Sequence, residues 1–233
     1  MTNIGVEHCT SFISSQFQPG GEAGVGAETG ARRAVTISRE AGCGALAIAE
    51  RLVRRFQELS PKHDESWKIF DRNLMDKVLE EHGLPAYLAK FLPEDRVSEI
   101  EDFVADILGA HPSLRKMVAQ SAETILKLAA MGNVILIGRA GNLVTARLPR
   151  VLHVRIVAPL EQRIALCQKE YGMTRAKARA FCRSEDLGRK RYVRKYFNAD
   201  VADPLLYHLV INTGLVGYDD AAKLIGDTVL KLT

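Results

Sequence analysis

Three arginines follow short apolar runs. Arg39 comes after "AVTIS", Arg72 after "KIFD" and Arg139 after "NVILIG". A guanidinium is a planar fork that meets phosphate oxygens two at a time, so cations gathered from separate strand ends would suit a phosphorylated ligand. The first run continues as "SREAGCGA", where Gly42 and Gly44 allow main-chain amides to turn inward and a helix starting near Ala45 adds its positive end. Ser38, Arg39, Gly42, Cys43 and Gly44 are therefore candidate phosphate-binding residues. A lysine-bearing phosphate loop would need G-x-x-x-x-G-K-[ST], and the lysine and hydroxyl positions here are Ala45 and Leu46, with Ala47 following on the helix. A plain sharp turn between strand and helix is the alternative. Asp71, Arg72 and Asn142 stand in the neighbouring loops, and Asp71 could equally cap a helix starting at 72.

The second cluster is "CRSEDLGRKRYVRKYF", residues 182–197. Arg183, Asp186 and Arg189 recur at helical spacing and Tyr192 and Tyr196 continue their face, while Arg191, Arg194 and Lys195 spread around the helix. Three readings are open: a solvated basic face, a nucleic-acid contact, or a lid that brings cations onto transferring phosphates. Cys43, at a helix start, is expected to have a lowered thiol pKa if it is reactive, and otherwise to be a small residue tolerated in the turn. The six histidines show no pairing that suggests a metal or a base.

These residues need elements to hold them. "AVTIS", "KIF", "NVILIG", "VLHVRIV" and "YHLVIN" read as buried strands. Helical periods intervene, the clearest having Ala45, Ile48, Ala49, Leu52, Phe56 and Leu59 on one face. Alternation of this kind predicts an α/β fold with a parallel sheet, helices on both faces, and ligands at the carboxyl ends of the strands. The interval 72–131 breaks the alternation and reads as an inserted helical lobe; its stripes include Ile100, Phe103 and Val104, then Val118, Ile125 and Leu128, and could serve a homodimer. Residues 1–33 are expected to form a flexible tail. With 233 residues, one sizeable core fits and two full domains would be cramped. The formal charge of +4 is mild. No stretch approaches a membrane span or a secretory signal, and four dispersed cysteines fit a reducing cytoplasm.

From about 34 to 230 the chain resembles the cytidylate-kinase-like branch of the nucleoside monophosphate kinases. "TISREAGCG" is similar to that family's opening "ISRE-x-G-x-G", "FDRNL" to its "YDREL" and "GRAGN" to its "GR-x-x-N"; "APLEQRI", "D-x-x-R-x-x-Y" at 186–192 and "INT" at 211–213 follow in order. The resemblance implies a three-layer P-loop kinase fold over 34–233, with an acceptor-side lobe at about 85–131 and a basic lid at about 174–200. It implies ATP and Mg²⁺, with donor phosphates on Ser38–Gly44 and the acceptor near Asp71, Arg72, Arg139 and Asn142; the magnesium ligands are not identified, Ser38 and Asp71 being candidates only. The donor base would lie near Asn212 and Thr213. Arg39, Arg139, Asp186 and Arg189 would be catalytic, and Arg183, Arg191 and Arg194 would belong to the lid. Relatives tend to read "G-S-G-G-R" where this chain has Gly42-Cys43-Gly44-Ala45-Leu46, so an arginine that might replace the missing lysine is absent as well. The leading expectation is transfer of the ATP γ-phosphoryl group to a nucleoside monophosphate. The alternatives are a nucleotide-binding regulator without turnover and nucleic-acid binding through the basic helix.

Overall fold

The structure, a computed structural model, describes residues 33–59, 67–71 and 112–232. The expected tail, except for Arg33, and most of the expected lobe lie outside the described residues, as does Arg72.

The strands are β1 (Ala34–Arg39), β2 (Lys68–Phe70), β3 (Val134–Ile137), β4 (Val151–Val157) and β5 (Leu209–Asn212). They pair in the order β2-β3-β1-β4-β5, every pair parallel. This is the expected five-stranded sheet, and all strand carboxyl ends therefore open on one edge. The helices are α1 (Ala45–Leu59), α2 (Pro112–Met131), α3 (Gly141–Val144), α4 (Leu160–Tyr171), α5 (Arg175–Phe197) and α6 (Tyr218–Val229), with a 3-10 turn at Pro204–Leu206.

One face of the sheet is apolar. Val35, Ile37, Ile135, Leu152, Val154 and Ile156 pack against Ile48, Leu52 and Phe56 of α1 and against Ala222, Ile225 and Val229 of α6. Each such aliphatic side chain contributes about 1.5–3 kcal/mol on burial. The period-3.6 stripe of α1 thus faces the sheet as expected, except that Leu59, at the helix end, is 52% exposed. On the opposite face α2 and α3 lie against β3 and β1, and Val118, Ser121, Ile125 and Leu128 of α2 are buried within the chain.

That second face corrects the reading of β1 and β4 as uniformly apolar. Strand side chains alternate between faces, and here Thr36 is in register with His153 and Ser38 with Arg155. The Thr36 hydroxyl lies 2.9 Å from His153 Nδ1. Arg155 Nη1 donates to Ser38 Oγ at 3.0 Å. A polar ladder therefore runs beneath the carboxyl ends. β5 is also shorter than the "YHLVIN" run, because Tyr207 ends the 3-10 turn, and as an edge strand it leaves Val210 47% exposed.

Helix α5 begins at an N-cap in which the Thr174 hydroxyl accepts from the Lys177 main-chain nitrogen. It ends where Asn198 takes a left-handed conformation, φ 50°. Ile164 and Cys167 of α4 meet Ala178 and Cys182 of α5 and Ala41 of the glycine turn. This small apolar cluster anchors α5 beside the strand ends.

Candidate active site

The turn leaving β3 delivers the first side chains. Gly138, Arg139 and Ala140 all have positive φ (95°, 54° and 54°), a run that costs about 1–2 kcal/mol for each non-glycine residue. It is held by Gly138 N donating to Ile37 O at 2.9 Å and Gly141 N donating to Gly138 O at 3.0 Å. The reversal sends Arg139 and Asn142 back over the sheet edge. A Cβ at Gly138 would lie 2.0 Å from Arg39 Nη1, so any side chain there would displace the Arg39 guanidinium. The Arg39 guanidinium thus rests on bare backbone.

Ser38, Arg39, Arg139, Asn142, Glu185, Arg189 and Tyr192 share the wall of a cavity of about 220 Å³, closed on its apolar side by Val193 and Val201. Arginines from β1, the β3 turn and α5 therefore share one cavity wall. Arg189 Nη2 donates to Glu185 Oε2 at 2.9 Å and Nη1 donates to Asp186 Oδ1 at 3.1 Å. Asn142 is buried, and its Nδ2 donates to Leu206 O at 3.4 Å.

The glycine turn lies beside this cavity and does not line it. Gly42 and Gly44 have φ of 74° and 80°, the left-handed region that glycine enters without penalty. Neither glycine opens on empty space. A Cβ on Gly42 would meet Arg163 O at 2.6 Å and Cys167 Sγ at 2.8 Å, and one on Gly44 would meet the Tyr218 hydroxyl at 2.3 Å. Thr213 Oγ1 donates to Cys43 O at 3.1 Å. The Cys43 thiol is buried, and burial pushes its pKa up to about 11, against the lowering effect of the hydrogen bond from Ala45 and the charge of Arg39. The lowered pKa expected of a helix-start thiol is overturned, because desolvation outweighs the helix end.

Arg163 joins the turn to α5. It occupies a core-face position of α4 and is 7% exposed. Its Nε donates to Ala158 O at 3.0 Å, and its Nη1 donates to Ala41 O at 3.1 Å and to Asp186 Oδ2 at 2.6 Å. Burial works against its charge, but the bond to Asp186 and the charge of Glu40 outweigh burial and raise its pKa. Asp186 also accepts from the Ala41 main-chain nitrogen at 2.8 Å. The glycine turn, α4 and α5 therefore meet at one carboxylate.

The remaining candidates fall elsewhere. Arg183 is exposed. Arg191 and Arg194 line a separate groove with Lys190, Lys195 and Leu187, away from the face of α5 that carries Arg189. Asp71 is half-buried at the tip of β2. Asn212 Oδ1 accepts from Gly214 N at 2.9 Å, and Thr213 Oγ1 is shared between Cys43 O and Val157 O, so both stabilise the turn after β5. Ser38 suits magnesium poorly, because its oxygen accepts from the Arg155 guanidinium. Among the described residues no group of three or more His, Cys, Asp or Glu could hold a metal ion.

Sequence reasoning missed Arg155, Arg163, Tyr207 and Tyr218. Two of these carried a signal. Arg155 alternates with Val154 and Ile156 in a strand, and Arg163 interrupts the core stripe Leu160, Ile164, Cys167.

A family model described as the cytidylate kinase-like family matches residues 34–215. The chain is also similar to a uronate isomerase of Corynebacterium glutamicum, 32% identical over 116 residues that cover 50% of this chain and 22% of the isomerase; the match spans about a fifth of that protein's length. A solved structure of an uncharacterized protein from Eubacterium ventriosum superposes with a TM-score of 0.65 at 16% identity, covering 85% of this chain and 98% of the other. A shikimate kinase from Bacteroides thetaiotaomicron gives a TM-score of 0.45 at 9% identity, covering 85% and 99%.

Proposed function

The chain belongs to the cytidylate kinase-like family, and from that premise we propose that it moves the γ-phosphoryl group of ATP to a nucleoside monophosphate or a similar small acceptor. The observation that supports this reading is the convergence of Arg39, Arg139 and Arg189 on one cavity at the carboxyl edge of the sheet. In-line phosphoryl transfer needs little covalent chemistry from the protein. It needs the two oxygens held in line and the charge of the transferring group neutralised. Arg39 and Arg139, fixed by the backbone reversal at Gly138, supply charge from the rigid sheet. Arg189 supplies it from α5, where Asp186 and Glu185 orient its fork. Val193, Val201 and Tyr192 limit water on the α5 side. Magnesium would enter with ATP; of its two candidate ligands, Asp71 fits chemically and Ser38 does not.

A second reading, a nucleotide-binding regulator without turnover, is favoured by one observation. The glycine turn has Ala45 and Leu46 at the lysine and hydroxyl positions and is packed by Tyr218 and Asp186. Kinetics separate the two. The kinase forms ADP from ATP and CMP, and Arg139→Ala lowers kcat/KM on the order of 10³-fold. Ligand-induced stabilisation without ADP formation supports the regulator. Binding of nucleic acid by the outer basic face would show as an affinity that falls steeply with salt.

A further inference from the structure

Arg155 of β4 is 8% exposed and in register with Ser38 of β1, a residue of the cavity wall. Its Nη1 donates to Ser38 Oγ at 3.0 Å. The Tyr207 hydroxyl lies 3.2 Å from the same oxygen and donates to Val201 O at 2.9 Å, and the Arg155 Cζ lies 5.8 Å from the centre of the Tyr207 ring. Hydrogen bonds thus run from the guanidinium to the cavity wall at Ser38 and Val201. Two other guanidiniums of this region have counter-charges: Arg163 has Asp186 and Glu40, and Arg189 has Glu185 and Asp186. No ion pair of Arg155 occurs among the described residues. Removing a guanidinium from water without a counter-charge is unfavourable, and Ser38 accepts only one of its several N–H donors.

We propose that Arg155, which stands behind the cavity wall at Ser38 and is held there by Ser38 and Tyr207, is an anion-binding residue that reaches a phosphate oxygen of the bound nucleotide. It is a cation supplied by β4 to a site whose glycine turn has alanine where a lysine would stand. An apolar residue in its place would pack in the sheet without the desolvation penalty, so the charge serves a ligand better than it serves the fold. The proposal rests on the reading of the cavity as a nucleotide site, and the experiment separates the two.

The full chain and its Arg155→Met and Arg155→Lys variants are titrated calorimetrically with ATP, CMP and inorganic phosphate in turn, and their unliganded melting temperatures are recorded. The expected result is that Arg155→Met melts no lower than the native protein yet binds ATP or CMP at least tenfold more weakly, with Arg155→Lys in between. The ligand that loses affinity identifies the phosphate held. Weakened binding of inorganic phosphate alone, with ATP and CMP unchanged, overturns the assignment to nucleotide. If Arg155→Met melts lower and binds ATP and CMP as the native protein does, Arg155 is a strut for Ser38 and the proposal fails while the nucleotide reading stands. If the native protein binds neither nucleotide, both fail. Arg155→Gln gives the same binding readout should the methionine variant not fold.

Discussion

The main-chain nitrogen of Ala41 donates to the carboxylate of Asp186 at 2.8 Å, so an anion already rests on an amide of the glycine turn. The same carboxylate accepts from Arg163 and Arg189, which makes it the joint between the sheet edge and α5. Asp186→Asn keeps the shape and removes the charge. Charge-assisted hydrogen bonds are worth about 1.5–3 kcal/mol each, and Asp186 is partly exposed, so we expect a net loss of about 2 kcal/mol. Urea denaturation of the variant would show it as a lower midpoint with an unchanged slope.

Gly44 depends on having no side chain. A Cβ would lie 2.3 Å from the Tyr218 hydroxyl, and its φ of 80° strains any other residue. Gly44→Ala is expected to cost more than the ~1–2 kcal/mol of the left-handed conformation alone. Adding Tyr218→Ala removes the clash, and thermal denaturation of the double variant should show part of the loss restored.

Cys43 is expected to be inert. With its pKa near 11, almost no thiolate exists at pH 8. Iodoacetamide followed by peptide mass mapping should leave Cys43 unmodified in the native protein and label it after unfolding. Native-state labelling would contradict the buried placement of the turn.

His153 gives a pH signature. Burial and the neighbouring His208 lower its pKa from 6.5 to about 4, so the unfolded chain binds its proton more readily than the folded one. The neutral form contributes stability that is fully present above pH 6.5 and is lost as pH falls from 6.5 towards 4, by up to roughly 3 kcal/mol. Denaturation midpoints measured across that window should fall with pH, and His153→Gln should flatten the slope.

Much of the fold was legible because its signals are local. The stripe Ile48, Leu52, Phe56 announced α1, and the apolar runs between helices announced a parallel sheet. Arg39, Arg139 and Arg189 were each visible from strand ends or helical spacing. What the sequence concealed depends on distant pairing. The bond from Arg155 to Ser38 spans 117 residues and that from Ala41 to Asp186 spans 145, and no local pattern encodes either. "VLHVRIV" reads as a core strand because its apolar positions dominate, although the alternation of His153 and Arg155 with Val154 and Ile156 records a polar face. The lowered thiol pKa weighed for Cys43 fails, and the reading of a small residue tolerated in the turn fits, because sequence shows that a thiol stands at a helix start but not that Tyr218, from the other end of the chain, closes over the turn.

We propose above that arginines from β1, the β3 turn and α5 grip one phosphorylated ligand. Calorimetric titration of ATP into the native protein and into Arg39→Ala, Arg139→Ala and Arg189→Ala tests it most directly. The expected result is measurable binding by the native protein and losses of about tenfold or more in each variant, the equivalent of one charge-assisted hydrogen bond. Binding by all three variants with native affinity, or none by the native protein, would contradict it.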